Sequence, residues 1–439
     1  MLKNSMSKQY TELMKLTANF RVLLTGTPLQ NNLIELISLL SFMLPSVFAK
    51  NSDALQSIFK LKPSSSSLDA SAALLSQQRI ARAKAMMTPF VLRRRKIHVL
   101  KDLPKKVHQV EYCEMGPEQK TIYHEILQKQ KDQIAARAKG ELPANEGSNV
   151  LMQLRKAASH PLLFRRIYND AKIKVMAKEI MKEEKYSTPE HTKEAILEDM
   201  EWMWDFTLHK LCLENPSISR FSLRNDEWMQ AAKIEKLKGL LPEMKARGDR
   251  ILLFSFFTMV LDILEVVLDT LGIQYMRLDG QTKVDERQDM IDQFHEEEDV
   301  TVFLLSTKAG MSPSWKIGLM VGGFGINLAC ANVVIIFDGS FNPHDDKQAE
   351  DRAHRVGQTR DVTVIRLVVK DTIEEQILHL ADTKLALDQE MSETKVEDDE
   401  KAELAGEKFV ARMLMGKNGE DTPATGSAVP SRVVTPAPP

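Results

Sequence analysis

The 439-residue sequence is poor in cysteine, glycine and proline. Its three cysteines, Cys113, Cys212 and Cys330, are too few and too far apart for a disulfide framework or a zinc site, so we expect a reducing compartment and no metal site. The 19 glycines and 18 prolines together make about 8% of the chain, where about 12% is usual. This deficit excludes collagen-like and low-complexity chains and favours a helix-rich protein.

Long apolar runs are also missing. The most apolar stretch, residues 251–273, is interrupted by three carboxylates that lipid would not accommodate unpaired. The first eight residues lack the apolar core of a signal peptide. We therefore expect a soluble intracellular chain with no membrane partner. At about 150 residues per domain the length suggests about three domains, and a hydrophobic fraction of 43% excludes disorder throughout.

The net charge is only −2, but the charges are strongly segregated along the chain. Residues 79–106 carry ten basic side chains and one acid, whereas residues 388–404 carry eight acids and two lysines. Near-neutrality therefore does not exclude a nucleic-acid partner. The basic run Arg93–Lys96 follows the apolar Phe90–Leu92, which predicts a place at the edge of a packed element that suits phosphate contacts. A solvated helix face is the alternative.

From about residue 233, continuous apolar segments of strand length alternate with helical patterns. The predicted strands are Ile251–Phe257, Tyr275–Leu278, Val300–Leu305, Val333–Phe337 and Val362–Val369. Continuous apolar strands separated by helices predict an α/β fold with a parallel sheet covered on both faces. Ligands bind beyond the carboxyl ends of such strands, which draws attention to Asp279, Ser306 and Asp338.

The rest of the chain predicts helices, loops and a tail. Phe20–Leu24 predicts a strand that stops at the turn Thr25–Pro28, and residues 32–44 predict a helix closed by Pro45. Residues 115–232 predict mostly charged amphipathic helices. Residues 387–439 are acidic and then rich in proline, threonine and alanine, which predicts a disordered tail.

The sharpest candidate site is the segment Gln348–Gln358. Gln348, Arg352 and Arg355 have the spacing of one helix face. Taken alone, the pattern fits a solvated, salt-bridged helix. The alternative is a pair of guanidinium groups aimed at a phosphate, because planar, permanently charged donors suit a phosphoryl group whose charge spreads during transfer. The position of this segment after the predicted strand that ends near Asp338 favours the phosphate-binding interpretation.

Several ordered segments together resemble the superfamily-two helicase-like ATPases. Leu24–Asn32 resembles their motif III, and Gln348–Gln358 resembles their motif VI in the form typical of the Snf chromatin-remodelling branch. Leu278–Gly280 resembles the motif after the second strand of lobe two, and motif V is similar to Ser306–Gly310 joined to Gly323–Leu328. Similarity to the Fun/Etl/SMARCAD subfamily comes from Asn149–Lys156, His160–Leu163 and Phe341–Asp346. The resemblance covers about residues 1–395.

The resemblance implies a role for each matching residue. Arg352 and Arg355 would be the arginine fingers that reach ATP held on lobe one, and Gln348, Gly323 and Gly325 would face the same nucleotide. The residues that would couple nucleotide state to lobe closure are Thr25, Gly26, Thr27 and Gln30. The residues that would contact DNA are Ser306, Thr307 and Lys308, which grip the phosphates of one strand, and Arg93 and Arg94 in the connector between lobes.

The family further implies an activity, a cofactor and an arrangement of domains. The activity would be ATP-driven translocation along double-stranded DNA beside a nucleosome, in the nucleus, with Mg²⁺ accompanying ATP. The implied RecA-like architecture divides the chain into a remnant of lobe one (1–50), a helical protrusion with the basic connector (51–110), the helical protrusion of lobe two (111–232), lobe two itself (233–386) and the tail (387–439).

Two departures from the family pattern stand out. The family needs a phosphate-cradling Gly-Lys-Ser/Thr loop and an acidic magnesium motif before motif III, but no Gly-Lys-Ser/Thr occurs in the 439 residues. Residues 1–4 resemble those that follow the acidic motif, so we expect that most of lobe one is absent and that this chain alone does not hydrolyse ATP. A non-catalytic DNA- or chromatin-binding fragment is therefore the alternative function.

The second departure is a split motif V. Removal of residues 311–322 would join Ser306–Gly310 directly to Gly323–Leu328 and restore the motif without a break. The codons available for Gly310–Ser312 and Val321–Gly322 permit intron boundaries, which favours a retained intron. Twelve codons are short for an intron, so a genuine loop insertion stays open. If translated, the insert would displace a loop that must contact DNA and nucleotide.

Overall fold

The computed structural model describes residues 6–24, 33–45, 48, 90, 92, 96–100, 102–138, 147–186, 192–307 and 327–382. The predicted tail and the inserted segment 311–322 lie outside these residues. No helix within the described ranges is long and apolar enough to cross a membrane.

A six-stranded parallel sheet organises the described part of the chain. Its strands are β1 (Lys106–Cys113), β2 (Ile251–Ser255), β3 (Tyr275–Leu278), β4 (Val302–Ser306), β5 (Val333–Ile336) and β6 (Val362–Val369). Among the described residues the spatial order is β1-β6-β5-β2-β4-β3, and every neighbouring pair is parallel. All the carboxyl ends therefore lie at one edge. The predicted parallel α/β fold is confirmed.

The sheet is covered on both faces because its central strands β2, β4 and β5 are apolar at every position except the serines that end β2 and β4. Alternate residues point to opposite sides, so Ile251 and Leu253 of β2 pack into one apolar cluster, whereas Leu252 and Phe254 pack into another. All four of these side chains are buried. Burial of both faces requires helices on both sides, as the alternating pattern predicts.

The helices lie along the chain in the following order. They are α1 (Lys8–Met14), α2 (Leu33–Met43), α3 (Lys96–Val99), α4 (Pro117–Ala138), α5 (Gly147–Ser159), α6 (Asp170–Ile180), α7 (Lys193–Trp202), α8 (Asp205–Glu214), α9 (Ala232–Ala246), α10 (Thr258–Thr270), α11 (Val284–Glu296) and α12 (Pro343–Ala353). Residues 373–382 are also helical.

Residues 117–229, the helical module, pack against the sheet through a shared core. Buried side chains of α5, α6 and α8 belong to the same apolar cluster as α9, α10 and one face of the sheet. Gln119 joins the parts with hydrogen bonds, because its Nε2 donates to the carbonyls of Ala157 and Ala158 while its Oε1 accepts from the N–H of Ala232. The module and the sheet are thus held as one packed unit.

The five strands predicted from residue 233 onward are confirmed with ends shifted by up to two residues, as is the helix predicted at 32–44. The strand predicted at Phe20–Leu24 is wrong, because these residues pair with no strand in the described chain and Phe20 and Leu24 are 80% and 96% exposed. Sequence reasoning also missed β1, which pairs with β6 over eight residues and crosses the predicted domain boundary at 110/111. The boundaries themselves stay predictions.

Candidate functional site

The carboxyl edge of the sheet gathers Ser306 and Asp338, two of the polar residues predicted to follow strands, together with Ser255, which the sequence did not single out. Ser255 and Ser306 end β2 and β4 and are register partners, and Asp338 follows the neighbouring β5. All three are buried. The N–H of Phe256 donates to Asp338 Oδ1 at 2.8 Å, and the N–H of Thr307 donates to the Ser255 carbonyl at 3.0 Å. These hydrogen bonds connect the ends of β5, β2 and β4.

Asp338 is the electrostatically unusual group of this edge. Burial raises the pKa of its carboxyl to about 6, although the charges of Arg155 and Lys233 and the hydrogen bonds it accepts act in the opposite direction. Its Oδ2 has no hydrogen-bond partner in the described structure. A buried carboxyl with one unpaired oxygen costs free energy when ionised, so the carboxyl holds its proton more tightly than an exposed one.

Arg155 of α5 reaches this edge from the helical module. Its guanidinium is 1% exposed, donates to the Gly339 carbonyl at 2.6 Å and lies 4.6 Å from the ring centroid of Phe256 and 4.9 Å from that of Phe341. The desolvated cation is thereby stabilised by aromatic faces. Arg155 connects the helical module to the loop that leads into α12.

Lys233, at the start of α9, is a second buried cation beside the same loop. It is 0% exposed, and its Nζ donates to the Phe337 carbonyl at 2.5 Å and to Glu374 Oε1 at 2.6 Å. Sequence reasoning assigned no role to Lys233 or Arg155. The sequence signal that could have indicated a buried cation is a single basic residue flanked by apolar ones, such as Lys233 between Ala232 and Ile234.

Helix α12 carries the candidate arginine site. Asn342 caps its N-terminus by accepting from the N–H of His344, and Pro343 occupies the first turn, where no N–H is needed. Its inward face is formed by Asp346, Ala349, Glu350 and Ala353, which are all buried. Gln348 and Arg352 lie on a different face and are half-buried, as their four-residue spacing predicts.

Ionic contacts inside the protein anchor the inward face of α12. Glu350 contacts Lys106 of β1 at 2.9 Å and Arg366 of β6 at 3.1 Å. Burial alone would raise the pKa of Glu350, but the charges of Lys106 and its other basic neighbours outweigh it and lower the pKa. Burial raises the pKa of Asp346, one turn earlier, to about 7. The helix bearing Arg352 is therefore tied to β1 and β6.

The prediction that Arg355 continues the helix face is wrong. The helix ends at Ala353, and Arg355 lies in the following turn, where it is exposed. Gly357 has a φ of 101°, which favours glycine, so the chain turns back. Gln358 secures the turn from inside, because its Nε2 donates to the Ala331 and Ala353 carbonyls and its Oε1 accepts from two backbone N–H groups.

The two arginines nevertheless act on each other electrostatically. Burial lowers the pKa of Arg352, and the positive charge of Arg355 lowers it further. Two cations within electrostatic reach repel each other, and an anion that binds both relieves the repulsion. An anion at the carboxyl-terminal end of α12 would therefore be favoured electrostatically. Gln348 lies one turn before Arg352 and is not among the buried residues on the inward face of α12.

The other described candidates fall into two groups. Thr307 follows Ser306 and is half-buried at the edge of the sheet, with its N–H bound to the Ser255 carbonyl. Asp279, by contrast, is 4% exposed, pairs with Arg277 at 2.7 Å and accepts from the N–H of Gln281. Asp279 thus stabilises the turn after β3 rather than facing solvent as a ligand.

Many of the predicted site residues lie outside the described residues. These are Thr25, Gly26, Thr27 and Gln30 of the coupling motif, Gly323 and Gly325 of the nucleotide group, and Lys308, Arg93 and Arg94 of the nucleic-acid group. Their roles, and those of Gln348, Arg352, Arg355, Ser306 and Thr307, stay predictions.

Comparison with known proteins points to one group. The SNF2-related domain family matches residues 1–163, and the helicase conserved C-terminal domain family matches residues 232–357. The ATP-dependent helicase fft2 of Schizosaccharomyces pombe is 56% identical over 428 residues, which cover 95% of this chain and 32% of that protein. The ATP-dependent helicase FUN30 of Saccharomyces cerevisiae is 50% identical over 412 residues, which cover 91% of this chain and 35% of that protein.

A human relative and a solved structure extend the comparison. The human SWI/SNF-related matrix-associated actin-dependent regulator of chromatin, subfamily A containing DEAD/H box 1, is 45% identical over 392 residues, which cover 89% of this chain and 36% of that protein. The crystal structure of the C-terminal part of the Fun30 ATPase domain aligns with a TM-score of 0.61 and 46% identity, covering 71% of this chain and 98% of that one. The chain spans about a third of the length of these curated relatives.

Proposed function

We propose that this chain, which belongs to the SNF2-related family of ATP-dependent helicases in its Fun30 branch, supplies the arginine-bearing lobe of a DNA-dependent ATPase that remodels chromatin in the nucleus. The observation that carries the proposal is the pair Arg352 and Arg355 at the end of α12. Glu350 anchors their helix to β1 and β6, and Gln358 secures the turn between them.

The chemistry follows from the properties of guanidinium groups. During phosphoryl transfer, negative charge spreads over the oxygens of the transferred group, and permanently charged planar donors stabilise it. Arg352 and Arg355 would bind that charge on an ATP held by another RecA-like lobe, with Gln348, Gly323 and Gly325 against the same nucleotide. In the described ranges no group of three or more acidic, histidine or cysteine side chains could hold a metal ion.

Movement along duplex DNA would arise from opening and closing of the lobes. Ser306, Thr307 and Lys308 would hold the phosphates of one strand, and Arg93 and Arg94 would add charge from the connector. Such contacts are independent of base sequence and weaken as salt rises, because they release counterions. Thr25, Gly26, Thr27 and Gln30 would couple nucleotide state to closure. Nucleosomal DNA and its histones would be the partners.

A second candidate function is favoured by one sequence observation. The 439 residues contain no Gly-Lys-Ser/Thr, so nothing in them is expected to cradle the β- and γ-phosphates. By itself the chain would then bind duplex DNA or chromatin without turning over ATP. Fluorescence anisotropy with labelled duplex DNA at several salt concentrations measures that binding directly, and a DNA-stimulated ATPase assay on the same protein measures turnover.

The ATPase proposal is tested in a chimera with a relative. This chain replaces the matching 428 residues of the S. pombe helicase fft2, with and without residues 311–322, and DNA-stimulated ATP hydrolysis is measured. In the active chimera, Arg352→Lys should lower kcat by about 100-fold or more, because arginine fingers contribute about 10³–10⁵. The matched control is Arg360→Lys, an exposed arginine that pairs with Asp249, and it should leave kcat unchanged.

Each outcome selects between the two candidates. An unchanged kcat in the Arg352→Lys chimera would remove the arginine-finger role. Robust hydrolysis by the 439-residue chain alone would refute the expectation that it lacks ATPase activity. If both chimeras fold, bind DNA and hydrolyse nothing, the non-catalytic DNA-binding function replaces the ATPase proposal.

A further inference from the structure

Residues 96–100 and 102–106, which we name the clasp segment, contact the arginine site. Lys96 Nζ lies 2.9 Å from Asp351 Oδ1 and donates to the His354 carbonyl at 3.0 Å. Asp351 and His354 are the residues immediately before Arg352 and immediately after Ala353. One lysine therefore contacts the chain on both sides of Arg352.

The rest of the clasp segment adds independent contacts. The Nε2 of His354 lies 2.9 Å from the Pro104 carbonyl; because a carbonyl only accepts, the ring nitrogen donates. The N–H of Lys105 donates to Asp361 Oδ1 at 2.9 Å, and Lys106 Nζ contacts Glu350 at 2.9 Å. The contacts thus begin one helical turn before Arg355 and continue past the turn that contains it.

The contact between Lys96 and α12 costs little conformational entropy. Lys106 begins β1, which is paired with β6 over its whole length, so one end of the clasp segment is fixed. Contact of Lys96 with α12 then closes a short loop, and short flexible loops lose little entropy on closure. On the other side, Arg355 lies in the turn after the last residue of α12, so contacts made by its neighbours Asp351 and His354 contribute to its position.

We propose that the clasp segment positions Arg352 and Arg355, with Lys96 and His354 as positioning residues. A displacement of Lys96 would then move or release the arginine pair. This inference rests on the proposed function, since it concerns residues assigned to ATP hydrolysis. It adds that the clasp segment controls how well the arginines are placed.

The first test uses the 439-residue chain and hydrogen-exchange mass spectrometry. Lys96→Met removes both contacts of the amine, and amides in peptides covering residues 351–358 should exchange about fivefold faster, the upper range for a partly exposed ion pair. Lys96→Arg, which can donate to both partners, should restore the wild-type rate. Exchange in this region that is unchanged by Lys96→Met would overturn the clasp.

The matched control is Lys370→Met. Lys370 pairs with Glu114 at 2.7 Å and is 45% exposed, whereas Lys96 is 41% exposed, and both pairs join segments more than 250 residues apart. The control pair lies just after the carboxyl-terminal ends of β1 and β6, whereas the clasp segment lies at their amino-terminal ends. It should leave exchange at residues 351–358 unchanged. A change as large as that of Lys96→Met would mean that the effect is general destabilisation.

The second test separates positioning from a purely structural role. In the active chimera, Lys96→Met should lower kcat about fivefold while KM for ATP changes less than twofold, and Lys96→Arg should recover kcat. His354→Phe, which removes the contact with Pro104, should have the same signature. If Arg352→Lys abolishes turnover but Lys96→Met and His354→Phe leave kcat unchanged, the clasp is refuted and the proposed function stands. If Arg352→Lys has no effect, the proposed function itself fails.

Discussion

The buried ion pair between Lys233 and Glu374 should be essential to the stability of the sheet. Lys233 is 0% exposed and its Nζ contacts Glu374 Oε1 and the Phe337 carbonyl. Glu374 is 7% exposed, and its other oxygen accepts from the N–H of Val369 at 3.0 Å. The pair joins the start of α9 to the first turn of the helical segment 373–382 that follows β6. Lys233→Met keeps an unbranched side chain close to the lysine stem in length and removes the ammonium group with both of its contacts.

The expected cost follows from what the substitution leaves behind. Glu374 would keep its backbone hydrogen bond but lose the charge that compensates its burial, and loss of one partner of a buried pair costs about 3–5 kcal/mol. Conversion of Glu374 to glutamine in the same protein removes the orphaned charge. The double variant should then lose only the hydrogen bond to Phe337 and related contacts, about 1–2 kcal/mol.

Urea unfolding followed by circular dichroism measures both variants. With a slope of about 3 kcal/mol per molar urea, Lys233→Met should lower the midpoint by about 1 M or more. The matched control on the same helix is Lys236→Met, which breaks a partly exposed pair with Glu111 at 2.7 Å and should cost less than about 1 kcal/mol. The reasoning is refuted if Lys233→Met costs no more than this control, or if the double variant is no more stable than Lys233→Met.

Two further predictions concern the site. Because burial raises the pKa of Asp338 to about 6, its contribution to stability is complete below the unfolded pKa of about 3.9 and is lost as the pH rises through 6. The free energy of unfolding of Asp338→Asn, relative to wild type, should therefore rise by about 2 kcal/mol between pH 4 and pH 7; a constant difference in urea titrations would contradict this. Gln358→Met should lower stability by at least about 2 kcal/mol, because it removes partners from two carbonyls and two N–H groups. Thermal unfolding measures the loss of stability, with Gln288→Met as the control because it breaks only an exposed hydrogen bond to Asp292. Equal losses in the two variants would show that the hydrogen bonds of Gln358 do not stabilise the turn.

The elements of the sheet were predictable because their signals are local. Each central strand is a short, continuous apolar run, and each run is buried on both faces in the structure. β1 was missed for the opposite reason. Its pattern is mixed, and Val107, Val110 and Tyr112 remain 39–48% exposed. An edge strand of this kind is defined by its pairing with β6, and that pairing is invisible in a local window.

The helix that carries the candidate arginine site was predictable from the sequence, but the position of its end was not. The spacing of Gln348 and Arg352 correctly placed both on one helix, but the same periodicity wrongly extended the helix to Arg355. A helical pattern cannot show that Gln358 binds the Ala331 and Ala353 carbonyls and ends the helix from inside the fold. Tertiary hydrogen bonds thus overrode local periodicity at the most informative position.

By itself the sequence determined the parallel α/β fold, the order of most elements and the family. These depend on apolar runs, helix periods and short motifs, which are properties of neighbouring residues. Only the tertiary structure decided that Lys233 pairs with Glu374, that Arg155 reaches Gly339 from the helical module, and that Lys96 contacts both sides of Arg352. Each contact joins residues more than 100 positions apart, and packing of the whole chain selects such partners because a buried or clustered charge is stable only where a partner reaches it.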